Sequence, residues 1–264
     1  MLARQRQERI LEEVRARGGA RVSDLVELLA VSDMTVRRDI AALARRGLVA
    51  RVHGGVTAVS GRSTEEPGFE AKFSLQTDQK AAIAKEAAAL VGPGDSVALS
   101  AGTTTYAVAL ELRGIPDLTV VTNSIPVADL LHRQHRDDLR VLLTGGTRTP
   151  SDALVGPLAV SALRMLHVDW LFLGVHGVDD RAGLTTPNLV EAETNRALIA
   201  AARRVVVTAD STKWGVVGLS SMARLDDVDV LVTDDGLDSD AARVVRSRVG
   251  RLLLARRGSL AAGA

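Results

Sequence analysis

Two cations and two hydroxyl groups around residue 35 have the types and spacing that DNA recognition requires. In the segment 32–46, Val36, Ile40 and Leu43 recur at the spacing of the buried stripe of a helix. The opposite face and its flanks carry the predicted DNA contacts, which are Ser32, Thr35, Arg37, Arg38 and Arg45. A helix fits the major groove, where Arg pairs with guanine or phosphate and Thr offers a hydroxyl. An ordinary surface helix with a solvated basic face would show the same local pattern.

A second set of polar residues follows apolar segments in the remainder of the chain. These clusters are 102–105, 122–123, 144–146, 174–179 and 209–213. Ligands of open α/β sheets bind outside the carboxyl ends of the strands. There Gly102, Thr103, Thr104 and Thr105 would supply backbone amides and hydroxyls as an anion cradle. A Gly-Thr pair after a strand is also common turn chemistry, but five clusters at one edge indicate a pocket.

The contents of that pocket suit a phosphorylated sugar. The clusters contain hydroxyls, amides, a few acidic groups and one cation, Lys213, with no set of residues typical of a metal site. This composition fits a phosphate at one end and sugar hydroxyls at the other. The sequence predicts no cofactor and no metal.

The elements that would position the first set form a compact N-terminal pattern. Two helices precede the helix at 32–46, and a hairpin follows with strands at 48–53 and 56–59 around Gly54 and Gly55. Three helices and a two-stranded wing make a winged helix-turn-helix. His53, beside the wing glycines, is a predicted phosphate contact, although an exposed strand histidine is an equal alternative. Asp39 lies at the edge of the buried stripe, which indicates an internal role such as holding an arginine.

Alternating helices and apolar strands follow from residue 79 onwards. The predicted strands are 96–100, 118–122, 140–144, 170–174, 204–208, 229–233 and 250–254. They are continuously rich in Val and Leu, as in strands that helices cover on both faces. We therefore expect an α/β protein in which a winged helix-turn-helix precedes a mostly parallel open sheet. The expected domains are 1–59 for DNA binding, 60–78 as linker, 79–255 for effector sensing and 256–264 as a disordered tail.

Composition limits the classes of protein that fit. The chain has 264 residues, 46% of them apolar, which suits a small and a medium globular domain. Residues 1–56 contain eleven Arg and seven acidic residues, a net charge of +4 that leaves −3 for the remainder. The absence of Cys excludes disulfides and thiolate zinc sites. The charged N-terminus and the lack of a long apolar window predict a cytoplasmic protein without membrane contact.

The motifs resemble one family over nearly the whole chain. The N-terminal pattern of Arg6, Ile10 and Val14, followed after seventeen residues by Ser32 and the run 35–40, resembles the helix-turn-helix signature of DeoR-family bacterial regulators. The strand-end clusters resemble the sensor domain of that family, which shares its fold with ribose-5-phosphate isomerase and the CoA-transferase group. The resemblance implies a regulator, most simply a repressor, of carbohydrate genes. It also implies that residues 102–105 hold phosphate and that Asn123, Gly146, Asp179 and Lys213 surround the sugar.

Two other functions remain open from the sequence. An isomerase or transferase with an attached DNA module would need a carboxylate base. The resemblance puts Arg196 at the position of that base, which favours the regulator, although Glu191 and Glu193 lie nearby. A purely architectural DNA-binding protein would need no pocket. The predicted partners are double-stranded operator DNA, a phosphorylated sugar and further copies of the chain. We expect a homodimer or higher oligomer because symmetric operators bind two recognition helices.

Overall fold

A computed structural model of the protein describes residues 3–17, 19–45, 49–52, 54–58 and 68–256. Contacts within the chain divide it into two compact units, Met1–Ser63 and Thr64–Ala264. Each unit has its own apolar core.

The N-terminal unit contains three helices and a small antiparallel sheet. The helices are α1 (Ala3–Arg17), α2 (Val22–Leu29) and α3 (Asp33–Arg45), and the strands are β1 (Gly19–Arg21), β2 (Val49–Val52) and β3 (Gly55–Ala58). Ile10, Leu25, Val36 and Leu43 are fully buried where the helices meet. The three helices and the hairpin confirm the predicted winged helix-turn-helix pattern.

One strand of this sheet was not predicted. β1 pairs with β3, so the order is β1-β3-β2, with Ala20 opposite Val56. A three-residue strand is too short to show alternation, and only its partner defines it. The approach is close, because a Cβ added at Gly55 would lie 2.7 Å from the carbonyl oxygen of Ala20.

The C-terminal unit is built on a seven-stranded parallel sheet in the order β15-β14-β12-β9-β4-β5-β6. Its strands are β4 (Ser96–Leu99), β5 (Leu118–Thr122), β6 (Leu139–Leu143), β9 (Val168–Gly174), β12 (Ala202–Thr208), β14 (Val230–Asp234) and β15 (Arg251–Ala255). Shorter antiparallel strands are β7 (Thr147–Arg148), β8 (Leu154–Val155), β10 (Gly177–Asp179), β11 (Gly183–Thr186) and β13 (Ser220–Ala223). All seven parallel strands lie within two residues of their predicted positions.

Helices cover both faces of the sheet. They are α4 (Phe69–Phe73), α5 (Thr77–Ala88), α6 (Thr103–Leu112), α7 (Ile125–His132), α8 (Pro157–Leu163), α9 (Leu189–Ala201) and α10 (Ser239–Arg248). On one face Ile83 of α5 and Val108 of α6 pack with Phe172. On the other, Leu198 of α9 and Val245 of α10 pack with Leu171. Burial on both faces explains why the strands are continuously apolar.

The predicted linker needs a correction. Within the predicted range 60–78, the structure describes residues 68–78 and places α4 and the start of α5 there. Phe69 is buried against Tyr106. This contact joins residues that are far apart in the sequence, so the five-residue segment alone does not predict it. Residues 59–67 lie outside the described residues. So do residues 257–264 of the predicted tail.

Candidate functional site

The exposed face of α3 begins at a side-chain cap. The Thr35 N–H donates to Ser32 Oγ at 3.3 Å, and the two hydroxyls lie 2.9 Å apart. Ser32 therefore caps the helix, as its residue type favours. Beside it Met34 is 79% exposed, so the start of the helix presents both polar and apolar groups to solvent.

The two neighbouring arginines of α3 differ in their contacts. Arg37 forms an ion pair with Asp33 one turn earlier, and this hydrogen bond and charge raise the pKa of its guanidinium. Arg38 is exposed and makes no ion pair or hydrogen bond within the described residues. An exposed i,i+4 pair contributes little stability, so both guanidinium groups can reach DNA, Arg38 without giving up a partner.

Asp39 has the internal role that its position predicts. It is 5% exposed, and its carboxylate accepts hydrogen bonds from Arg6 Nε at 2.7 Å and Gln7 Nε2 at 3.2 Å. These contacts tie α1 to α3. Arg45 is the last residue of α3, and His53 lies outside the described residues, so its predicted contact stays a prediction.

At the carboxyl edge of the large sheet, Gly102 precedes the first residue of α6. Thr103 and Thr104 start the helix, where backbone N–H groups have no carbonyl one turn earlier. The Thr105 hydroxyl is buried within reach of the carbonyl oxygens of Ser100 (2.7 Å) and Gly102 (3.0 Å). Thr105 thus fixes the loop. We call the backbone amides of Thr103 and Thr104 the cradle, because amides at the start of a helix can bind an anion.

Asn123 and Gly146 support the loops beside the cradle. Asn123 is fully buried; its Oδ1 accepts from the Ala101 N–H at 3.0 Å and its Nδ2 donates to the Leu154 carbonyl at 3.1 Å. Gly146 has φ 124°, and a Cβ there would lie 2.5 Å from the Val155 carbonyl oxygen. Both residue types are therefore explained by backbone geometry before any ligand is considered.

Asp179 is the last residue of β10, and its carboxylate fixes the turn that follows. Its Oδ1 accepts the N–H groups of Arg181 and Ala182 in the turn after β10. The neighbouring Asp180 pairs with Arg248 at the end of α10, next to the residues that lead into β15. Val178, directly before Asp179, pairs with Trp214 beside Lys213, and the predicted contact between Asp179 and an effector stays a prediction.

The loop after β12 brings Lys213 to the carboxyl edge. The Asp210 carboxylate accepts from the N–H of Thr212 at 3.1 Å, and the Lys213 N–H donates to the Asp210 carbonyl at 3.0 Å. Asp234 fixes the same loop by accepting from the N–H and hydroxyl of Ser211 at 2.7 and 2.9 Å. The loop is therefore rigidly held, and Lys213 is partly exposed on it.

Lys80 of α5 is a candidate site residue that the sequence analysis missed. Its side chain is buried, and its ammonium donates to the Lys72 carbonyl at 2.6 Å. Burial lowers the pKa of Lys80 to about 8; the charge of Asp210 opposes this shift, while Lys213 and Lys72 add to it. A buried ammonium held among these charges is a strong candidate to bind an anion.

A hydroxyl at the end of β12 adds to this region. Among the described residues, Thr208 Oγ1 is the one buried side-chain nitrogen or oxygen atom without a hydrogen-bond partner. Thr208 shares a sheet face with Val206, which packs against α5, and it lies opposite Gly174, which approaches Thr105. Buried polar groups are nearly always satisfied, so this hydroxyl is a candidate contact for a bound ligand.

One feature of the composition could have revealed Lys80. The chain has four Lys against 29 Arg, and the charges of Lys72 and Lys213 both act on Lys80. A residue type that is rare in the chain and concentrated at one place indicates a specific role. The described residues contain no group of three or more His, Cys, Asp or Glu able to hold a metal ion.

Both parts of the chain match family models. Residues 6–62 match the DeoR-like helix-turn-helix domain, and residues 75–235 match the DeoR C-terminal sensor domain. The chain belongs to the DeoR family. It is thus a DNA-binding transcriptional regulator, and α3 lies within the residues that match the helix-turn-helix domain.

DeoR-family relatives match this chain over most of its length. The HTH-type transcriptional regulator GlpR of Haloferax volcanii is 37% identical, covering 94% of this chain and 96% of its own. A lactose phosphotransferase system repressor of Staphylococcus epidermidis is 33% identical, with coverages of 87% and 91%. Ribose 5-phosphate isomerase A of Methanocaldococcus jannaschii superposes with a TM-score of 0.38 and 19% identity, covering 51% of this chain and 53% of its own. No described helix of this DeoR-family chain is long and apolar enough to cross a bilayer.

Proposed function

We propose that this regulator represses carbohydrate genes and that a phosphorylated sugar, bound at the cradle, controls its affinity for operator DNA. The observation that carries the proposal is the buried ammonium of Lys80 beside Asp210 and Lys213, at the same sheet edge as the start of α6. A phosphate dianion would satisfy the lysines and the free amides together. The Staphylococcus relative, a lactose phosphotransferase system repressor, supports the carbohydrate context.

The sugar would lie between the phosphate and the loop after β12. Thr208 offers a hydroxyl without a partner among the described residues, and Asp210 offers a carboxylate. Such groups bind sugar hydroxyls, while the cradle fixes the phosphate end. In this arrangement Gly102 and Thr105 shape the loop, and Asn123 and Gly146 act through the backbone they support.

We propose no enzymatic turnover. In α9, the Glu191 carboxylate accepts a hydrogen bond from the Thr186 hydroxyl at 3.3 Å, and Glu193 is exposed. The Arg196 guanidinium binds the Ser221 carbonyl and, at 3.3 Å, the Ser220 hydroxyl. Incubation with pentose and hexose phosphates tests this point. Turnover that is lost in Glu191→Gln would favour an isomerase instead.

A thermal-shift screen against phosphorylated sugars tests the effector directly. A ligand at 100 times its dissociation constant adds roughly 2.7 kcal/mol to the free energy of unfolding. For the best ligand, Lys80→Met should weaken binding by about 1.5–3 kcal/mol, the range for a hydrogen bond to a charged group. Lys85→Met is the matched control, because Lys85 is exposed on the same helix.

Asp179→Ala tests whether Asp179 contacts the effector, as the family resemblance implies. The Asp179 carboxylate fixes the turn after β10, so we expect its loss to leave ligand affinity unchanged. An equal loss of affinity in Asp179→Ala and Lys80→Met would contradict the placement of the effector at the cradle.

The proposed partners follow from this function. The regulator would bind double-stranded operator DNA in the cytoplasm as a homodimer or higher oligomer, since two recognition helices must reach two half-sites. Light scattering of the full chain at micromolar concentration, with and without DNA, tests the assembly. A monomer under both conditions would contradict it.

A further inference from the structure

The short helix α4 is the first element of the C-terminal unit, and its contacts lead to the cradle. A five-residue helix is not stable by itself in water, so tertiary contacts must hold it. The rings of Phe69 and Phe73 pack edge-on against Tyr106, with centroids 5.9 and 5.6 Å away. Tyr106 lies in the first turn of α6, directly after the threonines of the cradle.

Hydrogen bonds also hold α4 in place. The Phe69 N–H donates to the Pro150 carbonyl at 3.2 Å. At the other end, the Lys72 carbonyl accepts from the Lys80 ammonium at 2.6 Å and from the Leu75 N–H at 3.3 Å. A lysine on the last carbonyls of a helix is a favourable cap. Lys80 therefore caps the end of α4 and also lies among the charges of the proposed anion site.

We propose that α4 is a strap whose docking is coupled to the cradle through Lys80. A phosphate in the cradle competes with the Lys72 carbonyl for the Lys80 ammonium and loosens α4. This inference rests on the proposed function and names the way in which effector binding is transmitted.

The competition follows from the relative strength of the two acceptors. A phosphate dianion is a stronger acceptor than a neutral peptide carbonyl. Lys80 is buried, so its ammonium depends on protein or ligand partners rather than on solvent. Phe73 is 45% exposed, which means that the aromatic contacts hold the strap only in part.

Loosening of α4 changes how firmly the start of the C-terminal unit is fixed, and the DNA-binding unit precedes it in the chain. Coupling between two sites is reciprocal. If phosphate binds the loosened state better, then weakening α4 by Phe73→Ala must tighten phosphate binding. We expect a gain of at least about fivefold, the lower end for coupled sites. If α4 were only a wall of the site, the same variant would bind phosphate equally or more weakly.

Hydrogen exchange of single amides in the full chain tests the strap. Without ligand, Lys80→Met should speed exchange at the Phe69 and Leu75 amides by at least about fivefold. The control variant Lys85→Met should match the wild type. Inorganic phosphate, compared with chloride at equal ionic strength, should speed the same two amides in the wild type and add nothing in Lys80→Met.

The outcomes distinguish the strap from the proposed function. Phosphate that protects the Thr103 and Thr104 amides, while exchange at Phe69 and Leu75 is unchanged or slower, would overturn the strap and leave the effector site standing. A lack of protection at Thr103 and Thr104 would count against the effector site. The ligand-free comparison still decides the strap in that case, because equal exchange in the wild type and Lys80→Met would overturn it.

Discussion

The DNA-binding face and the cradle differ in how their functional groups are held. On α3, one helix supplies consecutive side chains that are mostly exposed, such as Arg37 and Arg38. The proposed effector site combines α5, the cradle at the start of α6 and the loop after β12, and its Lys80 and Asp210 are buried. A surface of the first kind can be changed with little effect on folding. A site of the second kind couples binding to stability, because its charges are already desolvated.

Asp39 is a buried charged residue within the DNA-binding unit. Its substitution should therefore give the largest change in stability. Asp39→Ala leaves Arg6 without its buried carboxylate partner. Removing one member of a buried pair costs 3–5 kcal/mol, and we expect about 3 kcal/mol because Arg6 stays partly exposed. Denaturant unfolding followed by circular dichroism measures the change. A loss below about 0.5 kcal/mol would place the pair among ordinary surface ion pairs.

Arg38→Ala sharpens the contrast from the DNA side. We expect a loss of about 1–3 kcal/mol in operator affinity if Arg38 contacts a base, or a salt dependence flatter by about one unit if it contacts phosphate. The unfolding transition should not move. Arg37→Ala should have a smaller effect, since Arg37 must first leave Asp33. Unchanged affinity in both variants would contradict the assignment of α3 to the major groove.

The pH dependence of ligand binding should give a smaller but diagnostic effect. Burial lowers the pKa of Lys80 to about 8, so its ammonium is lost as pH rises through that value. A phosphate monoester is already dianionic there, because its second pKa is about 6. Sugar-phosphate affinity should therefore fall by up to about tenfold between roughly pH 7 and 9, and the decline should disappear in Lys80→Met. A decline of the same size in Lys80→Met would assign the titration to another group.

The lowered pKa of Lys80 also determines how the free energy of unfolding changes with pH. The pKa of Lys80 is lower in the folded state than its ordinary value of 10.5, so the unfolded chain binds more protons between about pH 8 and 10.5. The contribution of Lys80 to the free energy of unfolding should then rise with pH across that window. The difference between the wild type and Lys85→Met should show no such trend.

The sequence predicted those features that depend on local pattern. The stripe of Val36, Ile40 and Leu43 located α3, and continuous apolar runs located the seven parallel strands. The internal role of Asp39 followed from its angular position on the helix. Each of these signals lies within one segment and reflects burial along it.

The features that were missed depend on contacts between distant segments. The strand β1 exists because of β3, and α4 exists because Phe69 meets Tyr106. Lys80 lies on a helix rather than directly after a strand. The search for ligand residues at the carboxyl ends of the strands therefore did not include it. The turn contacts of Asp179 depend on the path of the chain through β10. Chain direction after a strand is set by tertiary packing, which a single sequence does not display.

The central claim is that one anion site controls DNA binding by this chain. It is tested most directly by fluorescence anisotropy with a DNA site selected from a random pool, titrated with and without the sugar phosphate found by thermal shift. The account predicts that the ligand changes wild-type operator affinity by at least about fivefold. We also expect Lys85→Met to respond to the ligand like the wild type, and Lys80→Met to respond only at much higher ligand concentration. A sugar phosphate that binds the wild type tightly and leaves its operator affinity unchanged would contradict the account.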